Sequence, residues 1–286
     1  MQRRDVIRLL GIAGMSVFVP FHAIAKQSQN LCEVCKEAWH NLSNFNRKRY
    51  PFRYIEPTAN LPKVLIYGDS ISIGYTEYIR ASLASKADVF RIHENGGASG
   101  AFISYMEALK NAMFEPHLPG GWNFKWDVIH FNVGLHDLKY LNEDRKLDKE
   151  NGRQVSSIKT YKKNLEKIIG YLKETYPTAK LIFATTTPIP EGANGRYAKD
   201  SIRFNKAAHQ VLRKHKDIQV NDLFTFTKNK VKNLNQAPSD VHYKPEGSRL
   251  QGIESAKYIA NALGITPVEC PSSDEIQEKF KSYKAK

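Results

Sequence analysis

Over most of the chain, apolar runs of strand length alternate with longer segments of helical periodicity. The run Val64–Ile66 is continuously apolar, which is typical of a parallel strand covered on both faces. Gly68 then lets the backbone bend, and Ser70 follows just past the end of this strand. Because ligands of open parallel sheets bind outside the carboxyl ends of the strands, the sequence predicts that Ser70 lies at a binding edge.

The alternation predicts one doubly wound domain of the α/β class. The predicted strands are Val64–Tyr67, Val89–His93, Val128–Asn132, Leu181–Thr185 and Ile218–Val220. The predicted helices are Thr76–Ser85, Phe102–Asn111, Val155–Thr175, Ser201–His215 and Arg249–Leu263. Long loops, which tend to carry binding function on such a sheet, are expected around residues 112–126, 140–154, 187–199 and 233–248.

The charge of the chain restricts the class of its partners. The 286 residues are 41% hydrophobic and carry a net charge of +14, which fits a globular protein with anionic partners. Acidic polysaccharide, cell envelope and anionic lipid are all consistent with that charge. No nucleic acid is expected, because the basic residues are scattered and form neither a zinc-finger spacing nor an RNA-binding motif.

The N-terminus has the features of an export signal. Arg3-Arg4 precedes an apolar stretch from Leu9 to Val19, and Ala23-Ile24-Ala25 supplies a cleavage site with small residues. The paired arginines resemble a twin-arginine signal, with an ordinary secretory signal as the alternative. The stretch is short for a membrane span, so we expect a periplasmic or secreted protein without stable membrane insertion. The predicted divisions are a signal at residues 1–25, an N-terminal arm at 26–60, and the main domain with a C-terminal tail at 61–286.

Three cysteines follow that signal, Cys32, Cys35 and Cys270. In an oxidising compartment a disulfide is plausible, and the odd number leaves one thiol over. We expect a structural disulfide that ties the N-terminal arm to the C-terminal end through Cys270. A zinc site is not expected, because no second pair of Cys or His residues has matching spacing.

Four separated segments, each at a predicted strand end or helix entry, form one pattern. They are Gly68-Asp69-Ser70-Ile71-Ser72, Asn95-Gly96-Gly97-Ala98-Ser99-Gly100, Gly134-Leu135-His136-Asp137 and Asp240-Val241-His242. In order and spacing they resemble the SGNH (GDSL-type) hydrolase superfamily, with Gly-Leu-His-Asp as the third block of an exported branch. The resemblance implies a three-layer α/β/α sandwich of flavodoxin-like type with a mostly parallel five-stranded sheet. It also implies an esterase that needs no metal or organic cofactor.

The resemblance assigns roles to the matching residues. Ser70 matches the nucleophile, and His242 matches the base that takes its proton and returns it to the leaving alcohol. The oxyanion that forms is expected to be bound by the amides of Ser70 and Gly100 and by the side chain of His136. Removing one such donor typically costs roughly 3–4 kcal/mol of transition-state stabilisation.

Two positions depart from the family pattern. The third block usually has asparagine where His136 stands. An imidazole also donates an N–H, so His136 can take the same part. Activity is then expected to vary with pH near the ordinary histidine pKa of about 6.5. The fourth block usually has aspartate where Ser239 stands, and Asp240 lies one place closer to His242. We expect Asp240 to orient the imidazole if the loop allows it. Otherwise Ser70 and His242 form a dyad with a backbone carbonyl as the orienting group.

Three further sets of residues have both a functional and a structural interpretation. Rings that either stack on a sugar or belong to the core are Trp122, Phe124 and Trp126. Cations that either bind an acidic sugar or are solvated surface charges are Lys139, Arg196 and Lys244. Histidines expected to be packing residues are His93, His130 and His209.

The sequence thus predicts an exported serine esterase that hydrolyses O-acyl, in the first place O-acetyl, esters on a carbohydrate that can be acidic. Export, positive charge and aromatic loops favour that substrate. The alternatives are a lipolytic esterase or thioesterase, which would need an apolar acyl pocket, and a carbohydrate-binding protein that kept the fold without turnover.

Overall fold

The computed structural model describes residues 33–284. Its strands are β1 (Lys63–Tyr67), β2 (Asp88–Arg91), β3 (Val128–Phe131), β4 (Tyr140–Leu141), β5 (Arg153–Gln154), β6 (Lys180–Ala184) and β7 (Gln219–Asn221). Five of them form a parallel sheet in the order β2-β1-β3-β6-β7, and β4 pairs with β5 in a separate antiparallel ladder. The predicted fold class and the five main strands are confirmed, with bounds that shift by at most two residues.

Helices cover both faces of the sheet. They are α1 at residues 33–43, α2 (Ser70–Ser82), α3 (Phe102–Met113), α4 (Ile158–Thr175), α5 (Ala198–Leu212), α6 (Leu223–Lys230), α7 (Pro245–Leu263) and α8 (Ser273–Ser282). Helix α7 packs on α2, while α4 packs on both α3 and α5. The α2–α7 contact is close because Gly252 has no side chain: a Cβ there would lie 2.5 Å from the Cβ of Tyr78.

The structure differs from the prediction at three helices: α2 begins earlier, and α6 and α8 are not among the predicted helices. Helix α2 begins at Ser70, six residues earlier than expected, because Asp69 caps it by accepting a hydrogen bond from the Ile71 amide at 2.9 Å. Helix α8 is short and mostly polar, and Ile276 is its one buried residue. Its start is nevertheless encoded by a capping box formed by Ser272 and Glu275.

The aromatic loop before β3 belongs to the core. Trp122 and Trp126 are 3% and 2% exposed, and Phe124 packs between them with its ring centre 5.0 Å from that of Trp126. The Asp127 amide, next in the chain, donates to the carbonyl of Lys63 at the start of β1. These rings therefore lie towards the amino edge of the sheet, opposite Ser70, and the interpretation as a sugar subsite is wrong.

The expected disulfide through Cys270 is also wrong. Cys35 and Cys270 are both buried free thiols; they donate to the carbonyls of Gly120 and Tyr78, respectively. Cys32 lies outside the described residues, as does the predicted export signal at residues 1–25. Within residues 33–284, no helix combines the length and the apolar character needed to cross a membrane.

Two of the three histidines expected in the core are there. His93 is 4% exposed and His130 is fully buried, whereas His209 lies exposed in the last turn of α5. Burial lowers the pKa of both His93 and His130 to about 4, and for His93 the nearby Arg91 adds to the effect. A histidine that is neutral when folded but protonated when unfolded makes the fold lose stability as pH falls from about 6.5 to about 4.

We therefore predict that His93→Phe reduces the acid sensitivity of the fold. The ring packs edge-on against Tyr105, and its Nδ1 has no hydrogen-bond partner among the described residues. Phenylalanine therefore replaces the ring without removing a bond to that atom. Between pH 7 and pH 4.5, the free energy of unfolding should fall by about 2 kcal/mol less than in the wild type. Denaturant titrations at several pH values measure this loss, with exposed His209→Gln as the control. An unchanged loss in His93→Phe would contradict the prediction.

Candidate active site

The first part of the site is the turn between β1 and α2. Ser70 is the first residue of α2, so its amide has no acceptor within the helix, and it has no other partner within residues 33–284. The Gly96 amide donates to the Gly68 carbonyl at 3.0 Å and ties the second block to this turn. A Cβ at Gly96 would lie 2.8 Å from that carbonyl oxygen, so this approach requires glycine. Backbone and sequence together leave the Ser70 amide free at a helix N-terminus.

Ser70, His242 and Asp240 form a continuous hydrogen-bonded chain. The His242 Nε2 lies 2.9 Å from the Ser70 Oγ, and its Nδ1 lies 2.7 Å from the Oδ1 of Asp240. The same carboxylate oxygen accepts the His242 backbone amide at 2.9 Å. This is the connectivity of a nucleophile, a base and an orienting carboxylate.

The loop that carries His242 is held in a hairpin-like shape. The Lys244 amide donates to the Leu234 carbonyl at 2.7 Å, and the Gln236 amide donates to the His242 carbonyl at 2.9 Å. The side-chain amide of Asn235 donates to the Asp240 carbonyl at 2.7 Å. This tight turn brings the Asp240 side chain onto the imidazole of a residue only two positions later. Within the described residues Ser239 makes no hydrogen bond to His242.

The electrostatics of Asp240 suit an ionised carboxylate. Burial acts to raise its pKa, but the hydrogen bonds from the amide and ring of His242 and the charge of Arg196 outweigh that effect and hold the pKa below its usual value. Arg196 is 8% exposed, and its Nε donates to the Leu135 carbonyl at 3.2 Å. The expectation that Arg196 is a surface charge or binds sugar is wrong. It is an internal cation beneath the site, whose charge also acts on Asp69.

The second and third blocks are joined by Asp137. Its carboxylate accepts the Ser99 amide at 2.8 Å and the Ser99 hydroxyl at 2.6 Å, and Asn164 donates to the same hydroxyl at 3.0 Å. Gly100 follows Ser99 in a short 3-10 turn (Ser99–Ala101) and is exposed. The structure thus fixes the turn that carries Gly100, although no hydrogen bond joins Gly100 to Ser70 or His242.

His136 is held in one chemical form. Burial, followed by the charges of Lys139, Arg196 and His242, lowers its pKa to about 3, so the ring is neutral at physiological pH. The Lys139 ammonium lies 3.2 Å from its Nδ1. An ammonium can only donate, so Nδ1 must accept and the proton of the neutral ring must be on Nε2. The expectation that His136 makes activity vary with pH near 6.5 is therefore wrong.

The sequence indicates no functional part for Asp137, and it leaves Lys139 either as a sugar ligand or as a surface charge. Lys139 follows His136 by three residues, and this spacing is the sequence feature that could indicate a contact between the two side chains. The hydrogen bond between Ser99 and Asp137 joins residues 38 positions apart, and no pattern in the sequence indicates it. Within residues 33–284, no group of three or more His, Cys, Asp or Glu side chains is arranged to hold a metal ion.

A cavity of about 510 Å³ opens beside the Ser70–His242 pair. It is lined on one side by Arg49, Tyr50 and Phe280, from the N-terminal arm and the C-terminal helix α8. Neither Gly100 nor His136 lines it. The Ser70 hydroxyl and the His242 imidazole therefore lie at the edge of a basic and partly apolar depression.

Comparisons with known proteins agree with this fold. A hydrogen-bonded Ser–His–Asp set at the carboxyl edge of a parallel sheet is an arrangement found in hydrolases that act through a serine nucleophile. The chain belongs to the GDSL-like lipase/acylhydrolase family, whose model matches residues 66–250. The resemblance stated from the four blocks is thereby confirmed at the level of the family.

Two solved structures illustrate the shared fold at low sequence identity. The lipase/acylhydrolase from Enterococcus faecalis is 17% identical, with 73% of this chain and 100% of that chain covered and a TM-score of 0.51. The second is a carbohydrate esterase family 2 enzyme with a carbohydrate-binding domain, from Corynascus thermopiles. It is 20% identical, with 74% of this chain and 70% of that chain covered and a TM-score of 0.50. Among curated proteins, no relative matches the sequence.

We predict that nitrogen-15 NMR of labelled histidine shows His136 as the neutral Nε2–H tautomer between pH 5 and pH 8. Lys139→Met removes the ammonium that fixes this form, so both tautomers should become populated, whereas Lys139→Arg keeps a donor and should preserve one. The pKa of His136 should rise in Lys139→Met and stay below 6.5, because burial persists. Protonation of His136 at pH 6 in the wild type would contradict this.

Proposed function

We propose that this protein is an exported serine esterase that removes O-acyl, in the first place O-acetyl, groups from carbohydrate through an acyl-enzyme. The observation that carries the proposal is the hydrogen-bonded chain from Asp240 through His242 to Ser70. A serine hydroxyl is a weak nucleophile near neutral pH and needs a base in direct contact. The 2.9 Å distance between His242 Nε2 and Ser70 Oγ meets that requirement.

In the first step, the Ser70 Oγ attacks the ester carbonyl while His242 Nε2 takes the hydroxyl proton. Asp240 accepts the hydrogen bond from His242 Nδ1, keeps Nε2 free to act as the base, and stabilises the imidazolium that forms. The imidazolium then gives its proton to the leaving sugar hydroxyl. The acyl group remains on Ser70 as an ester.

In the second step, water replaces the sugar. His242 Nε2 takes a proton from the water as the water attacks the acyl carbon, and the proton then passes to Ser70 Oγ as the carboxylic acid leaves.

Both steps pass through an oxyanion. We assign its donors to the amides of Ser70 and Gly100 and to the Nε2–H of His136. A neutral imidazole with its proton on Nε2 offers one N–H, as the side-chain amide of asparagine would.

The substrate part of the proposal is supported by less direct observations. The Corynascus thermopiles neighbour is a carbohydrate esterase, and the basic composition fits an anionic polymer. The twin-arginine pattern at Arg3-Arg4 supports export to the periplasm or beyond. No nucleic acid partner and no stable membrane insertion form part of the proposal.

The lipolytic alternative draws on one observation, the apolar part of the cavity at Ser70. Ile71, Ile73 and Phe280 line it together with the two cations Lys48 and Arg49. A series of 4-nitrophenyl esters from acetate to palmitate distinguishes the two functions. Falling kcat/KM with chain length favours the acetylesterase, and rising kcat/KM favours a lipolytic enzyme or a thioesterase.

We predict that Ser70→Ala lowers kcat on 4-nitrophenyl acetate by at least 10³-fold and that Asp240→Asn lowers it by about 10²–10⁴-fold. Asparagine lacks the charge that stabilises the imidazolium, and its NH2 group can donate to Nδ1 and so favour the tautomer with the proton on Nε2. Ser239→Ala is the matched control and should stay within twofold of the wild type. Turnover by Ser70→Ala equal to that of the wild type would remove the nucleophile assignment. Absence of turnover in the wild type would leave the non-catalytic alternative.

A second prediction concerns His136 as an oxyanion donor. His136→Asn restores a neutral N–H donor, so it should keep kcat/KM within about tenfold and leave the pH profile between 5 and 8 unchanged in shape. His136→Ala removes the donor and should lower kcat by about 10²–10³-fold. Equal activity of the Ala and Asn variants would show that this side chain is no oxyanion donor.

A further inference from the structure

Two cavities flank the loop that carries His242. The first, of about 510 Å³, contains Ser70 and His242, and the second has a volume of about 810 Å³. Gln236 and Tyr243 line both cavities. The two cavities therefore adjoin across this loop, and together they form one depression that we call the groove.

Among the described residues, the fixed charges that line the groove are all positive. They are Lys48 and Arg49 in the first cavity and Lys228, Lys232 and Lys244 in the second. Within residues 33–284, no Asp or Glu lines either cavity. Other depressions on the described surface do contain carboxylates, among them Glu246, Glu269, Glu191 and Asp200. The single sign of charge is therefore a property of the groove and does not simply follow from the basic composition.

These five cations are also free of ion pairs. Within residues 33–284, fourteen ion pairs form, and none includes a cation of the groove. Lys228, Lys232 and Lys244 are exposed, so their ammonium groups are available to a ligand. Their uncompensated charge raises the local concentration of anions at the site that contains Ser70.

The neutral lining indicates which kind of anion fits. Asn229 and Asn233 line the second cavity, and their side-chain amides have no hydrogen-bond partner among the described residues, which suits sugar hydroxyls. Tyr243, the aromatic residue that lines that cavity in the described part of the chain, is buried, and Tyr50 in the first cavity packs against Phe280. Single-stranded nucleic acid is bound largely by stacking on open rings, which these surroundings do not offer.

We propose that the groove binds a polyanionic glycan, a sugar chain with carboxylate or sulfate groups, on both sides of the ester at Ser70. The position of the ester rests on the proposed function, but binding of the chain does not require turnover. The lysines contact the anionic groups, and the free amides contact the hydroxyls. The loop that carries His242 then lies under the middle of the bound chain.

Binding is tested with full-length Ser70→Ala and polygalacturonate without acyl groups, by isothermal titration calorimetry at several salt concentrations. On that background, the groove variant Lys228→Gln/Lys232→Gln/Lys244→Gln should weaken affinity at least tenfold and flatten its salt dependence. The control Lys159→Gln/Lys167→Gln/Lys206→Gln removes the same charge from exposed lysines of α4 and α5, which take part in none of the fourteen ion pairs given above. It should change affinity less than twofold. Circular dichroism verifies that both variants are folded.

Dextran sulfate in place of polygalacturonate distinguishes sulfate from carboxylate as the preferred anion. Equal affinity for neutral xylan, or equal weakening by the control variant, would overturn the inference. Tighter groove-dependent binding of oligothymidylate or of phosphatidylglycerol vesicles would overturn the choice of a glycan. Absence of polyanion binding in a protein whose wild type hydrolyses 4-nitrophenyl acetate would refute the groove and leave the esterase intact. Polyanion binding by a protein whose wild type does not hydrolyse 4-nitrophenyl acetate would refute the esterase and leave the groove intact.

Discussion

The hydrogen bond between Ser70 and His242 joins two residues 172 positions apart and depends on nearly every other feature of the structure. It forms because β1 and the last long loop both end at the carboxyl edge of one parallel sheet. The sheet order β2-β1-β3-β6-β7 reverses direction at β1 and β3, and such a reversal opens a crevice at that edge. The fold therefore supplies a place where distant loops meet, and the loops supply the chemistry.

The loops are kept in place by polar contacts that are largely buried. Asp137 ties the second block to the third through Ser99, and Gly96 ties the second block to the turn before Ser70. Buried bonds of this kind fix geometry because breaking one leaves a desolvated group without a partner. Arg196 adds an internal positive charge that acts on Asp69, Asp240 and His136 together. The result is a site in which the carboxylate stays ionised and His136 stays neutral.

The sequence predicts the sheet well because short, continuous apolar runs such as Val64–Ile66, bounded by turn residues, are typical of buried parallel strands. It places Ser70, His242 and Asp240 in one site, although their roles remain a proposal. It fails where tertiary contacts override local pattern. The start of α2 depends on a cap by Asp69, the rings near Trp122 fill the core, and Arg196 is buried. The neutral form of His136 also could not be predicted, because burial and Lys139 decide it.

The central claim is that one hydroxyl is activated by one imidazole, and covalent labelling measures this directly. A fluorophosphonate probe should modify the wild-type chain once, and peptide mass spectrometry should locate the added mass on Ser70. Labelling should slow by at least 10²-fold in His242→Ala, because the hydroxyl loses its base. Modification at another residue, or an equal rate in His242→Ala, would contradict the account.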